Sequence, residues 1–206
     1  MCDAFCNGLD IHTVTASQVF AVPAEQVTPL MRRHAKAVNF GIVYGISEFS
    51  LSEDIGVSRW EAKAYIDSYL ETYHGVRAYM KNVVIDAREK GFTQTLYGRK
   101  RYIPELKSSN FNIRQGAERI ALNTPIQGTA ADLIKLAMIR VDQALAEKYP
   151  EATLLLQVHD ELIIDCTKNE AMAVAELLKT EMENAVSLRV PLTVEVGVGK
   201  NWYCAK

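Results

Sequence analysis

The chain has 206 residues, 49% hydrophobic and 23% charged, enough apolar material for one or two globular units with a real core, which excludes a disordered chain. A formal net charge of −2 neither demands nor excludes a nucleic-acid partner, because a basic face can sit inside a balanced total. Cys2, Cys6, Cys166 and Cys204 show no CxxC pair or zinc-type spacing, no signal-like segment opens the chain, and no apolar run nears the ~20 residues that span a bilayer, so a soluble cytoplasmic protein with reduced thiols and no membrane partner is expected.

No repeat or low-complexity linker divides the sequence. Apolar spacing predicts helices over residues 10–20 (DIHTVTASQVF), 31–44 (MRRHAKAVNFGIVY), about 59–73 and about 76–90, with Ser58 as N-cap of the third and Glu61 three residues later. QTLYGRKRYIP, 94–104, places apolar and aromatic residues on both sides of a Gly98 turn, as in a hairpin or bent loop. Residues 112–148 are helical in pattern, but Pro125 and Gly128 predict a kink or break, giving two helices end to end. TLLLQV, 153–158, and ELIID, 161–165, read as a tight hairpin with His159 and Asp160 at its tip. A helix over 168–186 and a strand over 191–199 complete an α+β, mostly helical chain with a small antiparallel sheet in its last part.

Four groups of residues carry chemical information. Arg32, Lys36, Phe40 and Tyr44 recur every four residues, so they wind slowly along one helical stripe, two cations followed by two aromatics. A nucleotide needs charge at its phosphates and a flat apolar surface at its base and sugar. Solvated cations on a helix whose Phe40 and Tyr44 are ordinary core would give the same spacing. His159-Asp160-Glu161 sets a carboxylate at a hairpin apex, where one or two carboxylates plus substrate phosphates can hold Mg²⁺, although a plain acidic turn has the same composition. Arg119, Asn123 and Gln127, again spaced by four, could position a duplex through phosphates and minor-groove acceptors, or simply face water. Arg99, Lys100, Arg101, Lys107 and Arg114 form a basic cluster open to either a solvated or a template-binding reading.

The three strings resemble motifs of bacterial family A DNA polymerases, and in that family's order. RRHAKAVNFGIVYG resembles the helix that binds the incoming deoxynucleotide, AERIALNTPIQGTAADLIK a primer–template motif, and QVHDELIID the second metal-binding motif; Glu161 favours the DNA enzymes over single-subunit RNA polymerases. The resemblance implies that Arg32 and Lys36 hold the triphosphate, with Lys36 also donating a proton to the leaving pyrophosphate, while Phe40 and Tyr44 pack on the nucleotide and His12 contacts its phosphates. A phenylalanine at position 40 resembles the version that discriminates against nucleotides lacking a 3′-hydroxyl. It further implies that Asp160 binds both metals of a two-Mg²⁺ site, Glu161 supports it, His159 lies near the primer terminus, Arg119, Asn123 and Gln127 contact the duplex, and Ser47 and Phe49 meet the template strand.

By the same resemblance, residues 1–113 correspond to the fingers subdomain and 114–206 to the C-terminal part of the palm. The partners implied are primer–template DNA, deoxynucleoside triphosphates and the upstream polymerase chain. No DYSQIELR-like string occurs, so only one of the two metal-binding aspartates is present, and the chain by itself is expected not to extend primers. Self-association through an open sheet edge is a further expectation. Two readings compete with a polymerase segment: a non-catalytic nucleotide- and DNA-binding module, and a free-standing metal-dependent hydrolase around Asp160, which too few neighbouring ligand residues support.

Overall fold

A computed structural model of the chain describes residues 1–205 and divides into two compact units, Met1–Thr129 and a second that begins at Ala130. The first unit contains helices α1 (Cys2–Cys6), α2 (Ile11–Val19), α3 (Pro29–Val43), α4 (Glu48–Ile55), α5 (Arg59–Thr72) and α6 (His74–Lys90), then the strands β1 (Phe92–Gln94) and β2 (Lys100–Tyr102). Helix α7 (Phe111–Lys148) runs through the division, and β3 (Thr153–Val158), β4 (Glu161–Asp165) and α8 (Ala171–Glu183) follow. The α+β, mostly helical class expected from the sequence is what the structure has.

Local sequence sets the helix starts. Asp10 caps α2 by accepting from the His12 and Thr13 amides, Thr28 caps α3 ahead of Pro29, and Ser47 caps α4. Ser58 and Glu61 form the full reciprocal capping box on α5 that their spacing predicts. Val38, Ile42, Leu51, Ala62 and Tyr69 bring α3, α4 and α5 into one core. A second core joins Ala87 of α6, Ile103 and Leu106 beyond β2, and Ala117 and Ala121 of α7. The small residues of α7 let it approach closely, and its first turns therefore belong to the first unit.

The hairpin expected near residues 94–104 forms between β1 and β2, which pair antiparallel with Phe92 opposite Tyr102 and Gln94 opposite Lys100. Gly98 supplies the left-handed residue of the turn, with φ at +79°. In the second unit, Val141, Ala144 and Leu145 of α7 pack with Leu162 of β4 and with Val174, Leu177 and Leu178 of α8. Arg140 ties the same helices together, donating to Glu181 at 3.1 Å and to the Asn184 carbonyl at 2.8 Å.

Two expectations fail, each for a visible reason. The break at Pro125 does not occur: α7 is one helix of 38 residues. Proline removes the N–H that the Ala121 carbonyl would accept, and the buried Thr93 hydroxyl of β1 donates to that carbonyl instead, at 3.4 Å. Residues 191–199 do not form a strand among the described residues. Their alternation reflects one-sided packing, with Val196 against the second unit's core, while the Val194 amide donates to the Glu183 side chain at 2.9 Å. A strand needs a neighbouring backbone, and here a side chain takes that bond. The hairpin β3–β4 also carries a register shift between Leu154 and Leu156, which the run TLLLQV gave no sign of. No disulfide joins the four cysteines, and no helix among the described residues is long and apolar enough to cross a membrane.

Candidate nucleotide and metal sites

Helix α3 is two-faced. His34, Ala35, Val38 and Ile42 point into the core, whereas Arg32, Lys36, Phe40 and Tyr44 are all exposed along the other side. Phe40 is 50% and Tyr44 41% exposed, so the reading of these rings as ordinary core is overturned. Aromatic rings left about half in water at the end of a cationic row are open to contact from outside the helix. The Lys36 ammonium already lies 5.9 Å from the centre of the Phe40 ring.

The cationic end of the stripe is built jointly by α2 and α3. Arg32 is gripped in bidentate fashion by Asp10, the N-cap of α2, through Nε at 2.6 Å and Nη2 at 3.1 Å. That guanidinium holds the Asp10 carboxyl well below the usual carboxylate range. His12, in the first turn of α2, lies with its ring centre 5.8 Å from that of Phe40, and Asn39 Nδ2 meets its Nδ1 at 3.1 Å. Asn39 in turn bonds the buried Thr15 hydroxyl. Partial burial first, then the nearby Arg32 and Lys36 charges, push the His12 pKa down against the opposing pull of Asp10, which favours the neutral ring. The structure thus places His12 beside the stripe.

At the aromatic end, α3 closes against α7. Gly45 has φ of +66°, and a Cβ there would come within 3.2 Å of Leu122 and 3.4 Å of Arg119, so the chain turns here on a residue without a side chain. Gln127 donates to the Tyr44 hydroxyl at 3.1 Å. Phe40, Tyr44, Ser50, Asp54 and Arg119 line a depression of about 380 Å³, within the range of small-molecule sites. Arg119 and Gln127 therefore stand at the stripe, while the third residue of their row, Asn123, keeps a buried Oδ1 without a hydrogen-bond partner.

Other sequence candidates already have local partners. The Ser47 hydroxyl accepts from the Ser50 amide as a helix cap. In the basic cluster, Arg99 donates to the Gly128 carbonyl at 2.9 Å, Arg101 approaches the Thr124 hydroxyl at 3.4 Å, and Arg114 donates to the Ser108 carbonyl at 2.9 Å. These guanidiniums hold the first unit together whatever else they contact.

In the second unit, Val158 pairs with Glu161, leaving His159 and Asp160 as a two-residue turn. His159 sits in the left-handed region at φ +55°, and His159, Asp160 and Glu161 are all exposed. Glu161 Oε2 accepts from the Trp202 indole at 3.2 Å. No group of three or more His, Cys, Asp or Glu side chains among the described residues is arranged to hold a metal ion. One free-standing aspartate with a neighbouring glutamate fits a hard divalent cation as part of a ligand set, completed by phosphates, waters and other carboxylates.

The description for DNA polymerase family A matches residues 1–204. The chain belongs to that family. It is 56% identical over 204 residues to DNA polymerase I of Bacillus subtilis and 55% identical over 203 residues to that of Caldicellulosiruptor bescii. The chain spans 23% and 24% of those proteins, with 99% and 98% of its own length matched. Among solved structures it is similar to the POL domain of Pol1 from M. smegmatis in complex with DNA primer-template and dNTP, with a TM-score of 0.93 and 46% identity over 99% of this chain and 36% of that one. Family A polymerases are metal-dependent enzymes, in keeping with the carboxylate at the hairpin tip.

Three residues of the site went unrecognised in the sequence. Asp10 had a signal, since an aspartate before a helical run is an N-cap, but nothing tied it to Arg32 across 22 residues. Asn39 falls inside the nucleotide-helix string with no role attached to it, and Trp202 gave no signal, because their partners His12 and Glu161 are likewise distant in sequence.

Proposed function

We propose that this chain is the nucleotide-binding and DNA-binding portion of a DNA-directed DNA polymerase acting in replication and repair, and that it carries one of the aspartates of a two-metal site. The observation that carries this reading is the exposed stripe of α3, with cations at one end and half-exposed rings at the other, closing on Arg119 and Gln127 of α7. Family membership supports it, as does similarity to a polymerase domain that holds primer-template and dNTP.

In this reading Arg32 and Lys36 neutralise the triphosphate and His12 donates to it, while Phe40 and Tyr44 bear on the sugar and base. Lys36 supplies a proton to the leaving pyrophosphate. Arg119, Asn123, Gln127, His159 and Ser47 are assigned to the primer-template without reading its sequence, and Phe49, which is exposed, to the template strand. Asp160 would ligate Mg²⁺ with Glu161 in support, and the ions, when bound, activate the primer 3′-hydroxyl and steady the pyrophosphate. Further metal ligands would come from other parts of a polymerase chain. We place the protein in the cytoplasm. Self-association is included as well, because β3 and β4 pair only with each other among the described residues and Leu155 and Leu156 are more than half exposed.

Replacing Lys36 with Ala in a polymerase that contains this chain is expected to cut turnover by about 10²-fold or more, the scale of a lost general acid. An unchanged rate would remove Lys36 from the mechanism. The non-catalytic alternative is tested by Asp160→Ala in the same setting: metal-dependent extension is lost if the chain serves catalysis and persists if it does not.

A further inference from the structure

Asp10 stands where a phosphate site would not be expected to place a carboxylate. Its negative charge lies against Arg32, the first cation of the stripe, and weakens that cation's long-range pull on any polyphosphate. Its geometry supplies a reason for being there. The Asp10 carboxylate is not free to swing away, because it also accepts from the His12 amide at 3.4 Å, the Thr13 amide at 3.2 Å and the Thr13 hydroxyl at 2.5 Å at the start of α2. Arg32 is therefore tied to a fixed post. A guanidinium carries five N–H groups in a rigid fork. Asp10 takes the one on Nε and one on Nη2, so the pair on Nη1 and the second on Nη2 remain for another acceptor. Arg32 is about half exposed, as that requires.

The same post aligns a second group. His12 follows Asp10 by two residues and is bridged to α3 by Asn39, which places the imidazole beside Phe40. One carboxylate thus sets the start of α2, the fork of Arg32 and, through α2, the ring of His12.

Resting on the reading of the stripe as a triphosphate site, we propose that Asp10 is a positioning residue: it holds the Arg32 guanidinium by one edge so that the other edge is presented to the polyphosphate of an incoming nucleotide. The gain is preorganisation, since a long side chain already fixed loses less freedom when the anion arrives. Because Arg32 keeps the carboxyl ionised far below neutral pH, the clamp persists throughout the working range.

Charge and geometry predict opposite results, and two substitutions separate them. Asp10→Asn keeps the size and the helix cap but removes the charge and one accepting oxygen. Asp10→Glu keeps the charge and moves it by one methylene. The probe is inorganic tripolyphosphate, titrated calorimetrically into the 206-residue chain at constant ionic strength. Both variants are expected to bind about fivefold more weakly than the parent, the effect of releasing one restrained side chain. In an Arg32→Ala background the same substitutions should cost clearly less than fivefold, because no guanidinium is left to position and only the setting of α2 and His12 remains; a purely structural role for Asp10 would show the full loss there. Equal or tighter binding by Asp10→Asn, unaltered binding by Asp10→Glu, or a full additional loss in the Arg32→Ala background would each overturn the inference. Failure of the parent chain to bind tripolyphosphate would overturn the stripe reading and this inference together, whereas a binding parent with unaffected Asp10 variants would overturn this inference alone.

Discussion

Ile42 and Phe40 lie two residues apart on α3 and point in opposite directions, so truncating each to Ala should separate folding from binding. Ile42 is 2% exposed and packs with Val38, Leu51, Ala62 and Tyr69. Removing its side chain loses the transfer free energy and leaves a cavity, together ~2–5 kcal/mol. Phe40 is half exposed, so its truncation loses about half of the roughly 1.5–3 kcal/mol that full burial confers, ~1 kcal/mol, and the space opens to water without leaving a cavity. Urea unfolding followed by circular dichroism measures both, and binding of a deoxynucleoside triphosphate to each variant below its transition measures the other half. Ile42→Ala is expected to shift the midpoint strongly while its folded fraction still binds; Phe40→Ala should leave the midpoint nearly in place and lose binding. If Phe40→Ala destabilises as much as Ile42→Ala, the ring is structural and the functional assignment of the stripe fails.

Other parts of the chain make separate commitments. Thr93→Val should cost ~1 kcal/mol or more by orphaning the Ala121 carbonyl, and less in a Pro125→Ala background, where a backbone N–H returns; equal costs in the two backgrounds would refute the compensation. Ser58→Ala should lose ~1 kcal/mol in thermal or urea unfolding, with Ser58→Asp retaining most of it, and a silent Ser58→Ala would deny the capping box its role. Burial, aided by the Arg33 charge, holds the His34 pKa below 6.5; its Nε2 is unpartnered and its ring lies beside those of Phe20 and Tyr65. The unfolded chain therefore takes up the proton first on acidification. This contribution is complete above pH 6.5 and declines as pH falls through 6.5 toward the folded-state value. His34→Phe should flatten that decline in the urea midpoint, and an unchanged slope would show that other groups cause it.

Much of the first unit was legible because its signals are local. Capping residues and apolar spacing marked α2, α3 and α5, and the four-residue repeat from Arg32 to Tyr44 gave the stripe. Spacing alone could not decide whether Phe40 and Tyr44 face water, since that depends on what packs against the opposite side of α3, and the core of Val38, Ile42 and Leu51 settles it. The errors have the same origin. Pro125 would break an isolated helix, but a hydroxyl 32 residues earlier compensates the lost bond. Residues 191–199 alternate like a strand, yet alternation reports only which side is buried and not whether a neighbouring backbone is present. Asp160 at a hairpin tip was readable from the change of period after Pro150, while the hold of Trp202 on Glu161 came from a segment with no recognisable pattern.

The most direct test is an amide and side-chain NMR titration of the 206-residue chain with a deoxynucleoside triphosphate. Resonances of Arg32, Lys36, Phe40 and Tyr44, with His12 and Arg119, should shift together along one saturating curve. Shifts confined to other surfaces, or none at concentrations well above those of ordinary nucleotide sites, would mean that this face of α3 does not receive a nucleotide.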